Sequence, residues 1–96
     1  VTRFTLSPRA QADLDEIWDY TVKHWGVDQA EFYVRLIETA IKTVAAEPRR
    51  GWSCDEIRQG YKKYSTGSHL LFFRLTSSGI DVLRILHRHM DFDRHL

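Results

Sequence analysis

Two apolar stripes of helical period, on two expected helices joined by only one or two residues at Gly26, constrain this chain of 96 residues more than any other feature. The first runs Leu14, Ile17, Trp18, Thr21, Val22 and Trp25, the i, i+3, i+4, i+7 spacing of one buried helix face. Ser7 before it is a favoured N-cap, and Pro8 sits where a missing N–H costs nothing. Asp13, Asp15 and Glu16 fall early in the helix, and Lys23 and His24 fall late, as the helix dipole prefers. Gly26 is expected to end the helix as a left-handed cap. The second stripe is Tyr33, Leu36, Ile37, Ala40, Ile41 and Val44. Asp28 with Glu31 reads as a variant capping box that opens this helix, and Pro48 closes it. So short a connection demands an antiparallel helical hairpin. Two stripes on one hairpin then need a cover, and a sheet is the natural one.

The rest of the chain supplies strand signals. Residues 3 to 6 read as a short strand with Phe4 and Leu6 on one face. Residues 48 to 60 read as a polar loop with Trp52 and Ile57 as anchors. Tyr61 to Thr66 ends at Gly67-Ser68, a hairpin dipeptide. His69 to Thr76 and Ile80 to His87 carry apolar residues at both parities, so they are expected to be central and covered on both faces in part. Residues 88 to 96 read as a tail or a short helical turn. The expected fold class is α+β, in the order β-α-α-β-β-β. The helical hairpin packs on one face of a small, mostly antiparallel sheet, and the opposite face is left for a partner.

Composition agrees with one folded domain over residues 1 to 96: hydrophobic residues are 43% and charged residues 28%. A single cysteine, Cys54, excludes an internal disulfide framework and points to a reducing cytoplasm. No apolar run approaches the ~20 residues of a membrane span, and no signal peptide is visible. The net charge of +1 hides an asymmetry. Residues 1 to 48 hold five basic and eight acidic side chains, a balance of −3, and the remainder holds nine and five, a balance of +4. A basic second half suits either a polyanionic or acidic partner or an ordinary solvated surface.

Enzyme chemistry finds little support in the motifs. His87 and His89 share a strand face, and His95 can join them, but no cysteine or carboxylate stands at a ligand spacing, so neither metal nor cofactor is expected. Asp55 and Glu56 raise rather than lower the pKa of a Cys54 thiol. There is no glycine-rich phosphate loop and no Ser-His-Asp set. Lys62 and Tyr64 point to one side of their strand, and Tyr61 and Lys63 to the other. Arg74 and Arg84 on adjacent strands either make a cationic sheet face that grips phosphates or carboxylates, or pair with Asp81, Asp55 or Glu56.

The chain as a whole resembles the ParE-type toxins of bacterial type II toxin–antitoxin modules, within the RelE/ParE superfamily. The resemblance is carried by Leu6-Ser7-Pro8-Arg9-Ala10, Asp13-Leu14-Asp15-Glu16-Ile17-Trp18, Trp25-Gly26 and Gln29-Ala30. Later come Asp55-Glu56-Ile57-Arg58, Gly60-Tyr61, Gly67-Ser68-His69, Phe72-Phe73-Arg74, Ile85-Leu86-His87, Met90-Asp91 and His95-Leu96. It implies a non-enzymatic poison that stabilises the cleaved DNA complex of gyrase, blocks replication, and is neutralised by a co-expressed antitoxin. The implied partners are the antitoxin, in a hetero-oligomer, and gyrase. Neither a membrane nor sequence-specific DNA is implied. An amphipathic antitoxin segment needs an apolar groove with a charged rim.

The candidates for target or antitoxin contact are Arg58, Lys62, Lys63, Tyr64, His69, Arg74, Arg84, His87, Arg88, His89, Met90 and His95. The alternative is a RelE-like ribosome-dependent mRNA endonuclease, which needs cations on the scissile phosphate and a tyrosine or histidine for proton transfer. The chain has no tyrosine after Tyr64, and His69 stands where those relatives carry an arginine after the turn glycine. A third reading is a chain that keeps antitoxin binding alone.

Overall fold

The computed structural model describes residues 3–89 and Leu96. Strand β1 (Phe4–Leu6) leads into helix α1 (Pro8–Trp25) and helix α2 (Val27–Ala46), then a 3₁₀ turn (Pro48–Arg50). Strands β2 (Trp52–Ser53), β3 (Lys62–Thr66), β4 (His69–Leu75) and β5 (Ile80–His87) follow. The five strands form one sheet in the order β1-β5-β4-β3-β2, antiparallel except for the β1–β5 pair. The expected α+β architecture is observed, with β2 as an additional two-residue edge strand inside the segment read as loop.

The local signals at the helix ends were read with mixed success. Ser7 is extended, and its Oγ accepts from the Ala10 N–H at 3.0 Å, as an N-cap should. Gly26 has φ of 94°, where glycine is favoured, but ψ of 169° keeps it extended rather than left-handed helical. Its N–H donates to Val22, and its carbonyl accepts from Ala30, so one residue closes α1 and opens α2. Asp28 is therefore already inside the first turn of α2, and the expected capping box does not form. Asp13 lies past the first turn of α1, so its role is not a dipole contact.

The main core lies between the hairpin and the sheet. Ala10, Ile17, Ile37, Ala40, Ile41 and Val44 meet Leu71, Phe73, Ile80, Val82 and Ile85 there. Two stripe residues depart from expectation: Trp25 is 72% exposed, and Leu36 is half out, with Ala30 and Ala45 buried instead. Small residues at these positions let α2 lie close to its neighbours. Val82 and Ile85 both face the helices although three residues apart. A register shift allows this, because Phe72 pairs with Arg84 while Phe73 pairs with Val82, leaving Leu83 as an extra residue.

The opposite sheet face is not wholly free for a partner. Phe72 and Leu86 are buried with Cys54, and Ile57, Tyr61, Leu70 and Leu96 pack against them. Burial first, then the nearby Glu56, raises the Cys54 thiol pKa, so this cysteine is packing material rather than a nucleophile. Trp52, expected as an anchor of this segment, is 71% exposed. No helix among the described residues is long and apolar enough to cross a membrane.

One ion pair joins the layers. Asp13 on α1 takes the Arg84 Nε at 2.8 Å and Nη2 at 2.9 Å, and the same carboxylate accepts the Ile85 N–H at 2.9 Å. Both side chains are largely buried, at 16% and 11% exposed. Replacing Asp13 by Ala is expected to cost about 3 kcal/mol, because it leaves a buried guanidinium and a strand N–H without their acceptor. Asp13→Asn, which retains an acceptor oxygen, should lose less, and Arg74→Ala, whose pair is exposed, less than about 1 kcal/mol. Urea unfolding at neutral pH measures all three.

Candidate functional site

A groove runs between α1, the start of α2 and the paired ends of β4 and β5. It consists of two adjoining concavities of about 240 and 400 Å³ that share Tyr20, Thr21, His69 and His87. Asp13, Glu16, Ile17 and Ile85 line one end, and Trp25, Gln29, Tyr33 and Ser68 the other. Tyr20 and Trp25 are 61% and 72% exposed, so large apolar rings stand at the rim without cover. Here exposed aromatic surface and a concavity coincide with the candidate histidines.

The deep wall is a chain of aromatic and imidazole groups. The turn between β3 and β4 holds Gly67 at φ of 56°, and a Cβ there would lie 2.7 Å from the Tyr33 ring and hydroxyl. Glycine thus serves both the turn and the close approach of Tyr33. The Tyr33 Oη accepts the Ser68 N–H at 2.9 Å, which leaves its own proton to donate to His69 Nδ1 at 2.7 Å. A neutral His69 with Nδ1 occupied as an acceptor carries its proton on Nε2. His69 stands opposite His87 in the β4–β5 pairing, with ring centroids 5.3 Å apart, and His87 lies 5.2 Å from His89. The His89 N–H donates to His87 Nδ1 at 3.3 Å. Burial is the main reason the His69 pKa falls to about 4. The neighbouring His87 adds to the shift, and Asp13 opposes it. On the rim, His24 stacks on Tyr20 with ring centroids 4.0 Å apart.

The structure scatters the residues that charge and sequence position had grouped. Arg84 is committed to Asp13, which holds its guanidinium protonated, and Arg74 reaches Asp81 at 3.3 Å. The cationic sheet face built on these two therefore does not form. Arg84 chose a partner on α1 rather than one of the three carboxylates considered, because that carboxylate also satisfies the strand edge. Tyr64 packs on the helix-side core and Tyr61 on the other side, as the alternation predicted. Lys62 and Lys63 pair with Phe73 and Phe72 on β4. Arg58 is exposed and donates to the Ile57 carbonyl. Arg88 is exposed beyond β5, its N–H on the Ser68 carbonyl. Met90 and His95 lie outside the described residues, as does most of the segment read as tail or helical turn. Of the candidates, only His69, His87 and the adjacent His89 meet at the groove. No group of three metal-binding side chains occurs among the described residues.

Sequence reasoning missed Tyr20, and it placed Trp25 in the core; Tyr33 does pack against the main core, as its stripe position predicts, and lines the groove as well. The usable signal was Tyr20 itself, a large aromatic off the apolar stripe of an amphipathic helix. Asp13 and Glu16 were read only as helix-end charges.

Comparison with known proteins identifies the relatives of this chain. The family model described as "ParE toxin of type II toxin-antitoxin system, parDE" matches residues 4–92. "Toxin ParE1" of Mycobacterium tuberculosis strain H37Rv is 59% identical, with 99% of this chain and 98% of that protein covered. "Toxin ParE1" of Caulobacter vibrioides is 39% identical, with 97% and 96% covered. A chain of the structure titled "Chromosomal ParDE TA system from P. aeruginosa" has the same fold. Its TM-score is 0.78 at 24% identity, over 90% of this chain and 95% of that one.

The His69 geometry carries a pH dependence. Unfolded, this imidazole takes a proton near pH 6.5; folded, it does so only near pH 4. Between those values the unfolded chain binds more protons, so stability is present at neutral pH and is lost as pH falls through that window. His69→Gln keeps an acceptor for Tyr33 but does not titrate. Its thermal midpoint is expected to fall less than that of the wild type between pH 7 and 4.5, a comparison open to circular dichroism melts.

Proposed function

The chain belongs to the ParE toxin family of type II toxin–antitoxin systems, and from that premise we propose that it arrests growth by inhibiting DNA gyrase. In this reading it acts as one domain in the cytoplasm, without catalysis, and a cognate antitoxin neutralises it by seating in the groove of Tyr20, Trp25 and Tyr33. The ParDE structure of P. aeruginosa supports an antitoxin as the partner. The groove supports a segment with an apolar face: its rim rings are exposed, its floor is Ile17, Thr21 and Ile85, and Glu16 adds charge at one end.

The observation that carries the non-enzymatic reading is that, among the described residues, no unpaired cation lines the concavity beside the histidines. A nuclease needs free positive charge around the scissile phosphate. Here Arg84 and Asp13 are paired with each other, and the remaining charged side chain among the described residues that line the concavity beside His69 and His87 is Glu16, which repels a phosphate. His69 Nδ1 is occupied by Tyr33. The cluster is built to hold a neutral imidazole in place rather than to move a substrate proton.

Supercoiling by purified gyrase is expected to fall on addition of the chain. Normal supercoiling with saturating, folded toxin would overturn the gyrase reading. Expression without antitoxin should induce the DNA-damage response, whereas immediate translation arrest with intact DNA would assign the RelE-like activity. Tyr20→Ala and Trp25→Ala, at exposed positions, should weaken antitoxin binding by about tenfold or more while leaving the melting temperature unchanged. Isothermal titration with the purified antitoxin measures this.

A further inference from the structure

The fold leaves Trp52 without a structural task. It is 71% exposed on a two-residue edge strand, and neither core cluster includes it. An indole in that position has a reason to be elsewhere unless something covers it. Its surroundings say what. Trp52 stands opposite Lys63 in the β2–β3 pairing, and Ser65 stands opposite Leu70 in the next pair. Together with Ser53 and Arg88 these residues line a shallow concavity of about 600 Å³. Among the described residues it contains one flat aromatic, two cations, two hydroxyls and one apolar floor residue, and no carboxylate. Arg88 donates no ion pair among the described residues, and Lys63 has none either.

We propose that this concavity binds single-stranded nucleic acid, with a base stacked on Trp52 and the flanking phosphates held by Lys63 and Arg88. Every base offers a π-face, so an indole platform between cations binds a strand without reading its sequence. Ser53 and Ser65 supply donors for sugar and phosphate oxygens. An acidic peptide satisfies the cations but gains little from an exposed indole, which is why the nucleic acid is the better fit. The site is distinct from the groove of Tyr20 and Trp25: the two share no residue. It is read as a binding surface and not a cleavage site, since the described residues that line it include no histidine or carboxylate to move protons. The proposal does not depend on the gyrase reading.

The test is fluorescence anisotropy of a labelled twelve-nucleotide oligothymidine titrated with the full chain, without gyrase or antitoxin. Binding is expected at 50 mM salt and should weaken as salt rises. Trp52→Ala should weaken it about tenfold, while Trp52→Phe, which keeps a stacking face, should retain most of the affinity. Lys63→Gln and Arg88→Gln should each reduce the salt slope by about 0.7. Thermal melts check that the variants are folded, as expected for the exposed Trp52 and Arg88 and the half-buried Lys63. No binding at 50 mM salt would overturn the proposal. So would an unchanged affinity for folded Trp52→Ala. A glutamate-rich peptide of equal charge that binds as tightly and competes with the oligonucleotide would reassign the surface to an acidic protein.

Discussion

Strand β5 is eight residues long and its outer neighbour β1 only three, so most of one edge of a central strand is left without a strand to pair it. Helix α1 fills the gap. β1 pairs along Ile80–Val82. The Ser7 N–H then reaches the Val82 carbonyl, the Ser7 Oγ reaches the Leu83 carbonyl, and the Asp13 carboxylate takes the Ile85 N–H. A buried strand edge with unpaired N–H groups is costly. Here side chains and backbone at the start of α1 substitute for a sixth strand. The same carboxylate neutralises Arg84, which the register shift has brought alongside. The position of α1 on the sheet is therefore set by directional polar bonds, and the apolar core fills the space those bonds define.

That placement creates the groove. Because α1 lies along β5, its outward residues Glu16 and Tyr20 stand over the β4–β5 ends instead of over solvent alone. Tyr33 fixes the other wall by bonding both Ser68 and His69, which ties α2 to the β3–β4 turn. Both walls are held by specific hydrogen bonds in the unbound chain. Under the antitoxin reading, the ordering cost of binding then falls mainly on the antitoxin segment, and the toxin gains stability by mass action.

Much of the architecture was legible because it rests on local signals. Stripe period, Ser7-Pro8, the shortness of the Gly26 connection and the glycine-bearing turns after β3 and β4 each gave a correct element. The failures have two causes: some depend on partners far away in sequence, and others on local details too small to leave a pattern. Leu36 and Trp25 sit at the margins of their stripes, where neighbouring elements decide burial. The capping role of Asp28 was lost to the backbone bond that Gly26, two residues earlier, accepts from Ala30. Strand β2 is two residues long, too short to leave a period. Asp13 and Arg84 are 71 positions apart, and no pattern in either neighbourhood couples them. Of the candidate site, His87 was found from its strand spacing with His89, and His69 from the resemblance at the turn glycine. The aromatic rim was not, because stripe logic assigns aromatics to the core by default.

The charge asymmetry of the sequence acquires a spatial meaning from these contacts. The acidic half contributes Asp13 and Glu16 to the groove, one as a structural anchor and one facing the open concavity. The basic half loses Arg84 to that anchor and Arg74 to Asp81, so its excess charge is displaced toward Lys63 and Arg88 at the far side of β3 and beyond β5. The two concave surfaces consequently differ in sign as well as in shape. A single partner with a uniform charge cannot satisfy both. An apolar segment with a cationic end suits the groove, and a polyanion suits the sheet edge. Under the antitoxin and nucleic-acid readings, the two partners are distinguished by chemistry rather than by size.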